Sequence, residues 1–257
     1  MDGIRLVTRA DDAGLNKTTN RAIRSAVKDG IVRNISLMAP APAIEDAADT
    51  LLDLADGIDF GLHVTLTSEW DAVRWGPVTE SANVPGLVRR DGTFHLKVSE
   101  LDAERPGTDQ LVGEVEAQYN RLESLGFTLT YLDEHMLVGS VGALADGMRS
   151  FAVAHGLAYD RDLQAGGKLT PLPDWAGPGE HPGTELADYL SGVNTGTYLL
   201  VGHPGTKDEE MQFLKGPGGR SGEVAMRRNR ERRMFMDIEI IDYCENAGIR
   251  LLRYSEV

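Results

Sequence analysis

The sequence predicts an α/β chain folded as a distorted (β/α) barrel of about seven parallel strands, TIM-barrel-like in outline. Three observations predict it. Short apolar runs of strand type alternate with helically spaced segments along the chain, which favours a parallel sheet with helices packed on it. The 257 residues show no composition shift or Pro/Ser-rich linker, so residues 1–257 read as a single domain. Acid or imidazole side chains stand where strand patterns run out, in Asp11-Asp12, His63, Asp133-Glu134-His135 and His203. Residues from distant parts of a chain converge in that way at one end of a barrel only if its strands run parallel.

In chain order, Ile4 to Thr8 is a strand that stops at the acidic pair, and Asn16 to Lys28 has helical spacing through Ala22, Ile23, Ala26 and Val27, with Gly30 placed to end that helix. A strand over 33–38, a helix over 43–55 and a strand over 58–67 follow. Residues 109–125 form an amphipathic helix, 128–132 a strand and 142–155 a helix. Then come a short strand over 157–159, a helix over 185–190, a strand over 198–202, one long helix over 223–246 and a final strand over 249–253. No Gly-x-Gly-x-x-Gly follows the first strand, so no dinucleotide site is indicated.

Two segments break the alternation. Residues 69–106, with Trp70, Trp75, Pro77, Pro85 and Pro106, read as a long insertion, either a loop packed by its tryptophans or a lid over the site. Residues 166–183, with four prolines and five glycines, read as a second rim loop or a subunit contact.

Composition narrows the partners. A net charge of −14 and a pI near 4.8 argue against nucleic acid or an anionic membrane as the main partner. An apolar fraction of 41% supports a large core, but no run reaches the roughly 20 apolar residues that cross a bilayer. Met1-Asp2-Gly3 leads directly into a strand pattern, so no signal peptide is expected, and the single cysteine, Cys244, suits a reducing cytoplasm.

A carboxylate and two imidazoles from three strand ends would give a divalent ion three protein ligands and one open position, and Asp12, His63 and His135 fill that description. Such an ion acidifies water and polarises a carbonyl, a pairing suited to amide or ester hydrolysis. Asp11 is then the candidate base, reaching the site where the strand breaks at Ala13-Gly14, and His203 the candidate acid for the leaving amine. Two imidazoles with one carboxylate suit Zn²⁺, while Mg²⁺ prefers more oxygen. Taken singly, each stretch has a blander origin, since Asp before Gly often caps a helix and a lone histidine is more often a core residue. Their common position at strand ends is what favours a site. His95, His155 and His181 lack such spacing and read as surface residues. The run Arg227, Arg228, Arg230, Arg232 and Arg233, interleaved with Glu223 and Glu231, reads as a solvated helix face from which one arginine could reach the site.

These residues together resemble the YdjC/ChbG-like carbohydrate deacetylases. The resemblance rests on Ala10-Asp11-Asp12-Ala13-Gly14, Asn20-Arg21-Ala22-Ile23, Gly30-Ile31-Val32, Ser36-Leu37-Met38, Gly61-Leu62-His63-Val64-Thr65-Leu66-Thr67, Asp133-Glu134-His135, His203-Pro204-Gly205, Arg230-Glu231 and Gly248-Ile249-Arg250-Leu251, in family order over nearly the whole chain. It implies a roughly seven-stranded barrel, often a homodimer, that removes acetyl groups from N-acetylated amino sugars or oligosaccharides with one divalent ion, Zn²⁺ or Mg²⁺. It also implies Asp12, His63 and His135 as ligands, Asp11 as base and His203 as acid, with Asp133 orienting an imidazole. Members often read Asp-x-His-x-His at the third motif, whereas Leu137 stands here at the second imidazole, which makes the pocket more apolar. Three alternatives stay open: a related barrel hydrolase acting on another amide or ester, a sugar-binding protein without turnover, and glycoside hydrolysis. Asp11 and His203 weigh against the second, and the absence of a second acidic cluster weighs against the third.

Overall fold

The computed structural model describes residues 3–257; Met1 and Asp2, invoked above for the absence of a signal peptide, lie outside the described residues. Along the chain the elements are β1 (Ile4–Ala13), α1 (Lys17–Lys28), β2 (Asn34–Leu37), α2 (Ile44–Leu51), β3 (Asp59–Val64), α3 (Val98–Ala103), α4 (Thr108–Ser124), β4 (Leu129–Glu134), α5 (Leu144–His155), β5 (Ala158–Tyr159), α6 (Asp160–Ala165), β6 (Thr170–Pro171), α7 (Pro182–Ser191), β7 (Gly196–Gly202), α8 (Glu209–Gln212), α9 (Glu223–Met236), α10 (Ile238–Asn246) and β8 (Arg250–Leu252).

One sheet contains all eight strands in the order β5-β4-β3-β2-β1-β7-β6, with β8 added against the first half of β1, and every pairing is parallel. The terminal strands β5 and β6 do not pair with each other, so the sheet curls into a half-barrel with a gap. The expected parallel, barrel-like α/β architecture is the observed one. Short α6 and β6 were not foreseen; β6 is two residues long and contains Pro171, too little pattern to read as a strand.

Strand alternation separates two interiors. Leu6, Ala10, Ile35, Leu37, Phe60, Leu62, Leu132 and Leu200 face outward into the core shared with the helices. Val7, Tyr131, Leu199, Leu252 and Tyr254 face inward as a separate cluster. Tyr131 and Tyr254 stack with ring centroids 3.9 Å apart, and Tyr131 lies where a Cβ on Gly61 would stand, which explains glycine there. Asn34 joins β8 to its neighbours by donating to Thr8 O and Leu252 O at 3.0 Å each and accepting from the Tyr254 amide at 2.9 Å.

Three boundaries differ from expectation for physical reasons. First, β1 does not stop at Thr8 but continues through both aspartates to Ala13, with an extra residue between the pairings Ala10↔Ile35 and Ala13↔Leu37. This bulge lets strand pairing coexist with the acidic pair. Second, α1 is capped by Asp29 rather than ended by Gly30; Gly30 is needed because Phe235 O occupies the space of a Cβ. At the other end Asn16 caps α1 by accepting from Thr19 N at 2.7 Å. Third, the long C-terminal helix is two helices broken at Asp237, whose extended backbone (φ −69°, ψ 133°) and side chain start α10.

The segment 69–106 is tied to the body rather than loose. Trp75 is buried and its Nε1 donates to Thr67 O at 2.9 Å, while Glu114 on α4 accepts from the amides of Val78 and Thr79 at 2.9 and 3.0 Å. No helix among the described residues is long and apolar enough to cross a membrane.

Candidate metal centre

The β1 bulge puts two successive carboxylates at one cavity. Asp12 adopts φ 68°, a left-handed conformation that aspartate tolerates better than most residues, and this cancels the alternation that would send Asp11 and Asp12 to opposite faces. Both line a cavity of about 360 Å³ together with His63 from the end of β3, His135 just after β4 and His203 just after β7. All five residues singled out in the sequence therefore meet.

Asp12, His63 and His135 present ligand atoms that all lie within 4.8 Å of one another, and each residue is buried. Asp12 Oδ1 stands 3.4 Å from His63 Nε2 and 3.2 Å from His135 Nδ1, yet it has no hydrogen-bond partner. The other nitrogen of each ring is committed to a carboxylate: His63 Nδ1 lies 3.0 Å from Asp133 Oδ2, and His135 Nε2 lies 3.1 Å from Glu69 Oε2. With those nitrogens donating, His63 Nε2 and His135 Nδ1 turn lone pairs toward Asp12 Oδ1, the donor set of a divalent ion with imidazole ligands oriented by carboxylates. A buried, unpartnered carboxylate oxygen between two such lone pairs fits a cation.

Electrostatics agree. Asp11, Asp133 and Asp160 face the guanidinium of Arg9, Asp12 faces that of Arg228 and Glu69 faces His135, so carboxylates outnumber guanidiniums around the site when the imidazoles are neutral. Burial alone would lower the imidazole pKa values, but the surrounding carboxylates reverse it. Asp133, Asp11 and Asp12 push His63 well above the usual histidine range, and Glu69 and Asp12 push His135 up to about 9.

Arg9 organises the layer beneath. Buried, it donates from Nε and Nη2 to the two oxygens of Asp11 at 2.7 and 3.0 Å, and Nη2 also lies 3.0 Å from Asp133 Oδ2. Its Nη1 donates to Tyr254 Oη at 2.8 Å, and that hydroxyl donates to Asp160 at 2.7 Å. Burial would raise the Asp11 pKa, but the Arg9 charge and its hydrogen bonds hold the carboxyl below the usual range, as Arg228, 2.5 Å from Asp12 Oδ2, does for Asp12. Burial has the opposite result at Asp160, whose carboxyl stays raised.

Arg228 corrects the reading of the basic run as a solvated face: it is 2% exposed, under Trp70 at 5.7 Å, and Arg227 also lines the cavity. Trp70 thus reaches the site from segment 69–106. Glu231 accepts from the His203 amide at 2.6 Å and lies 3.2 Å from its Nδ1, leaving Nε2 as the nitrogen available to the cavity. Arg9, Glu69 and Glu231 were missed. An arginine two residues before Asp11 shares its strand face, and Glu231 stands one helical turn after Arg228, so two of the three carried a positional signal. His95, expected at the surface, is 7% exposed, paired through its backbone to Thr67 and Ser68. His155 is half-buried against Phe151 and Tyr119, and His181 is exposed.

The chain belongs to the YdjC-like family: a family model described as YdjC-like protein matches residues 5–246. A carbohydrate deacetylase of Thermoanaerobacter pseudethanolicus is 26% identical over 97% of this chain and 98% of the relative. A carbohydrate deacetylase of Geobacillus stearothermophilus is 33% identical over 129 residues, 50% of this chain and 48% of the relative. Among solved structures, an Enterococcus faecalis protein described only as a candidate for cellobiose-phosphate cleavage superposes with a TM-score of 0.81 over 99% of this chain and 98% of its own, at 20% identity, a likeness of fold.

Proposed function

We propose that this chain is a metal-dependent carbohydrate deacetylase that hydrolyses the amide of N-acetylated amino sugars or oligosaccharides. The observation that carries the reading is the unpartnered Asp12 Oδ1 met by two imidazole nitrogens, with Asp11 and His203 on the same cavity. Relatives named carbohydrate deacetylase supply the substrate class. Residues 1–257 are read as one domain, with 69–106 an insertion that brings Trp70 and Glu69 to the site.

Asp12, His63 and His135 would hold the ion, which when bound polarises the acyl carbonyl and acidifies a water. Zn²⁺ suits two imidazoles and one carboxylate better than Mg²⁺ does. Asp11 takes the proton of the attacking water. Arg9 engages both of its oxygens, which fixes the carboxylate and keeps it ionised, the form a base requires. Glu231 orients His203, whose Nε2 gives a proton to the departing amine.

Acetate release from a panel of N-acetylated sugars by metal-stripped protein, reloaded with Zn²⁺, Mg²⁺, Mn²⁺ or Co²⁺, tests the reading beside Asp11→Asn. Metal-dependent acetate that falls about 10²- to 10⁴-fold in the variant is the expected result. Tight metal binding with no acetate from any sugar would overturn it.

A further inference from the structure

A second cavity, of about 500 Å³, adjoins the metal cavity, and apart from Arg9 and Asp133 its lining residues have no part in the chemistry above. Along three parallel strands its lining residues Arg9, Asp133 and Val201 precede by two positions Asp11, His135 and His203, which line the metal cavity. Two residues along a strand span about 7 Å, so the second cavity lies one layer further into the curled sheet. Tyr159 of β5 and Pro171 of β6 also line it, so it opens at the gap between the unpaired sheet edges. Glu134 lines both cavities.

Its free surface is apolar. Leu137, Leu172, Trp175, Leu199 and Val201 form walls, whereas most of its polar groups are already engaged, and Asp133 Oδ1, which has no partner, is itself buried. Arg161 makes two bonds of 2.7 Å to Glu134, Arg9 is bound to Asp11 and Asp133, and Asp160 accepts from Tyr254 and Gln164. A sugar ring needs unpaired donors and acceptors in its subsite; an apolar group does not.

The lip between the cavities points the same way. Met136 lines the metal cavity and Leu137 the second, directly after His135. Both hold left-handed backbone, φ 53° and 58°, which is strained for a bulky residue, and they are 51% and 70% exposed. Strained, exposed apolar residues at a site's edge are placed to be covered by a ligand.

We propose that this cavity receives an apolar substituent of the amino sugar, either an N-acyl chain longer than acetyl or an apolar aglycone; the identity of the reaction rests on the deacetylase reading. In either case the amide C–N bond breaks, water adds its hydroxyl to the acyl carbon, and its remaining proton leaves on the amine. The substituent supplies binding that the plain sugar lacks.

The test compares kcat/KM of the metal-loaded enzyme on N-acetylglucosamine, its octyl β-glycoside and N-octanoylglucosamine. At least one apolar substrate is expected to show KM lowered about tenfold or more, since each buried methylene is worth about 0.8 kcal/mol. Which one responds tells acyl chain from aglycone. Leu137→Asn, whose side chain tolerates left-handed backbone, should reduce the ratio of apolar to plain kcat/KM about fivefold or more, a ratio that a general loss of active enzyme cannot move. A second readout needs no turnover: octyl β-glucoside below its micelle concentration should change the fluorescence of the wild type but not of Trp175→Phe. Turnover of the plain sugar with no apolar preference and no fluorescence change overturns this proposal and leaves the deacetylase reading intact. Fluorescence binding without turnover of any sugar upholds the cavity and overturns the reaction.

Discussion

Within the same curled sheet, two groups of buried side chains at successive depths are built on opposite principles. The lower layer, Val7, Tyr131, Leu199, Leu252 and Tyr254, is a packed apolar cluster whose hydroxyls are satisfied by Ser36, Arg9 and Asp160. The layer above it, Asp11, Asp12, His63, Asp133 and His135, is as deeply buried but carries charges and two unpartnered oxygens, Asp12 Oδ1 and Asp133 Oδ1. Burial therefore stabilises one layer and strains the other, and the difference shows where the fold has given up stability to hold a ligand. Arg9 is the seam, reaching down to Tyr254 and up to Asp11 and Asp133.

The largest expected break in that comparison comes from the lower layer. Tyr131→Ala removes a buried ring stacked on Tyr254 and leaves a cavity under Gly61, so unfolding free energy should fall by about 3–5 kcal/mol in a denaturant titration. A loss below about 1 kcal/mol would mean that the inner cluster does not hold the sheet.

A carboxylate in the upper layer should behave in the opposite sense. Asp133→Asn keeps the shape beside His63 Nδ1 but weakens the acceptor that orients this imidazole, so metal affinity should drop about 10- to 100-fold by competition with a chelator. The metal-free variant should lose less stability than Tyr131→Ala, because asparagine keeps an acceptor oxygen beside His63 and Arg9 while Arg9 retains Asp11 as its ion-pair partner. If stability fell equally and metal affinity held, the two layers would not differ in the way described.

The same contrast explains what was legible in the sequence. The strands, their parallel order and the meeting of Asp12, His63 and His135 follow from apolar periodicity and from where it ends, because alternation and parallelism fix which side chains share a barrel end. The carboxylates behind the histidines were another matter. Asp133 stands in the motif beside its strand end, but Glu69 comes from an aperiodic segment and meets His135 only through tertiary packing. Arg228 was hidden in a run whose other arginines are at least partly exposed, since charge pattern alone does not tell a solvated guanidinium from one drawn beneath Trp70. The β1 bulge, which makes neighbours Asp11 and Asp12 share a cavity, leaves no pattern of its own.

The smallest expected effect belongs to the outer layer, where neither principle of the inner sheet applies. Helical periodicity runs unbroken across the boundary of α9 and α10, yet Asp237 interrupts it, and a Cβ on Gly183 of α7 would collide with the Asp237 side chain. Asp237 Oδ1 accepts from Glu239 N at 3.2 Å, the bond of a helix N-cap. Asp237→Ala should therefore cost about 1 kcal/mol of stability by thermal or chemical unfolding and leave metal affinity unchanged. A loss of metal affinity in that variant would show that the outer helices position the upper layer, through α9 and its Arg228, as directly as the strands do. An unchanged affinity would confine the control of the site to the sheet itself.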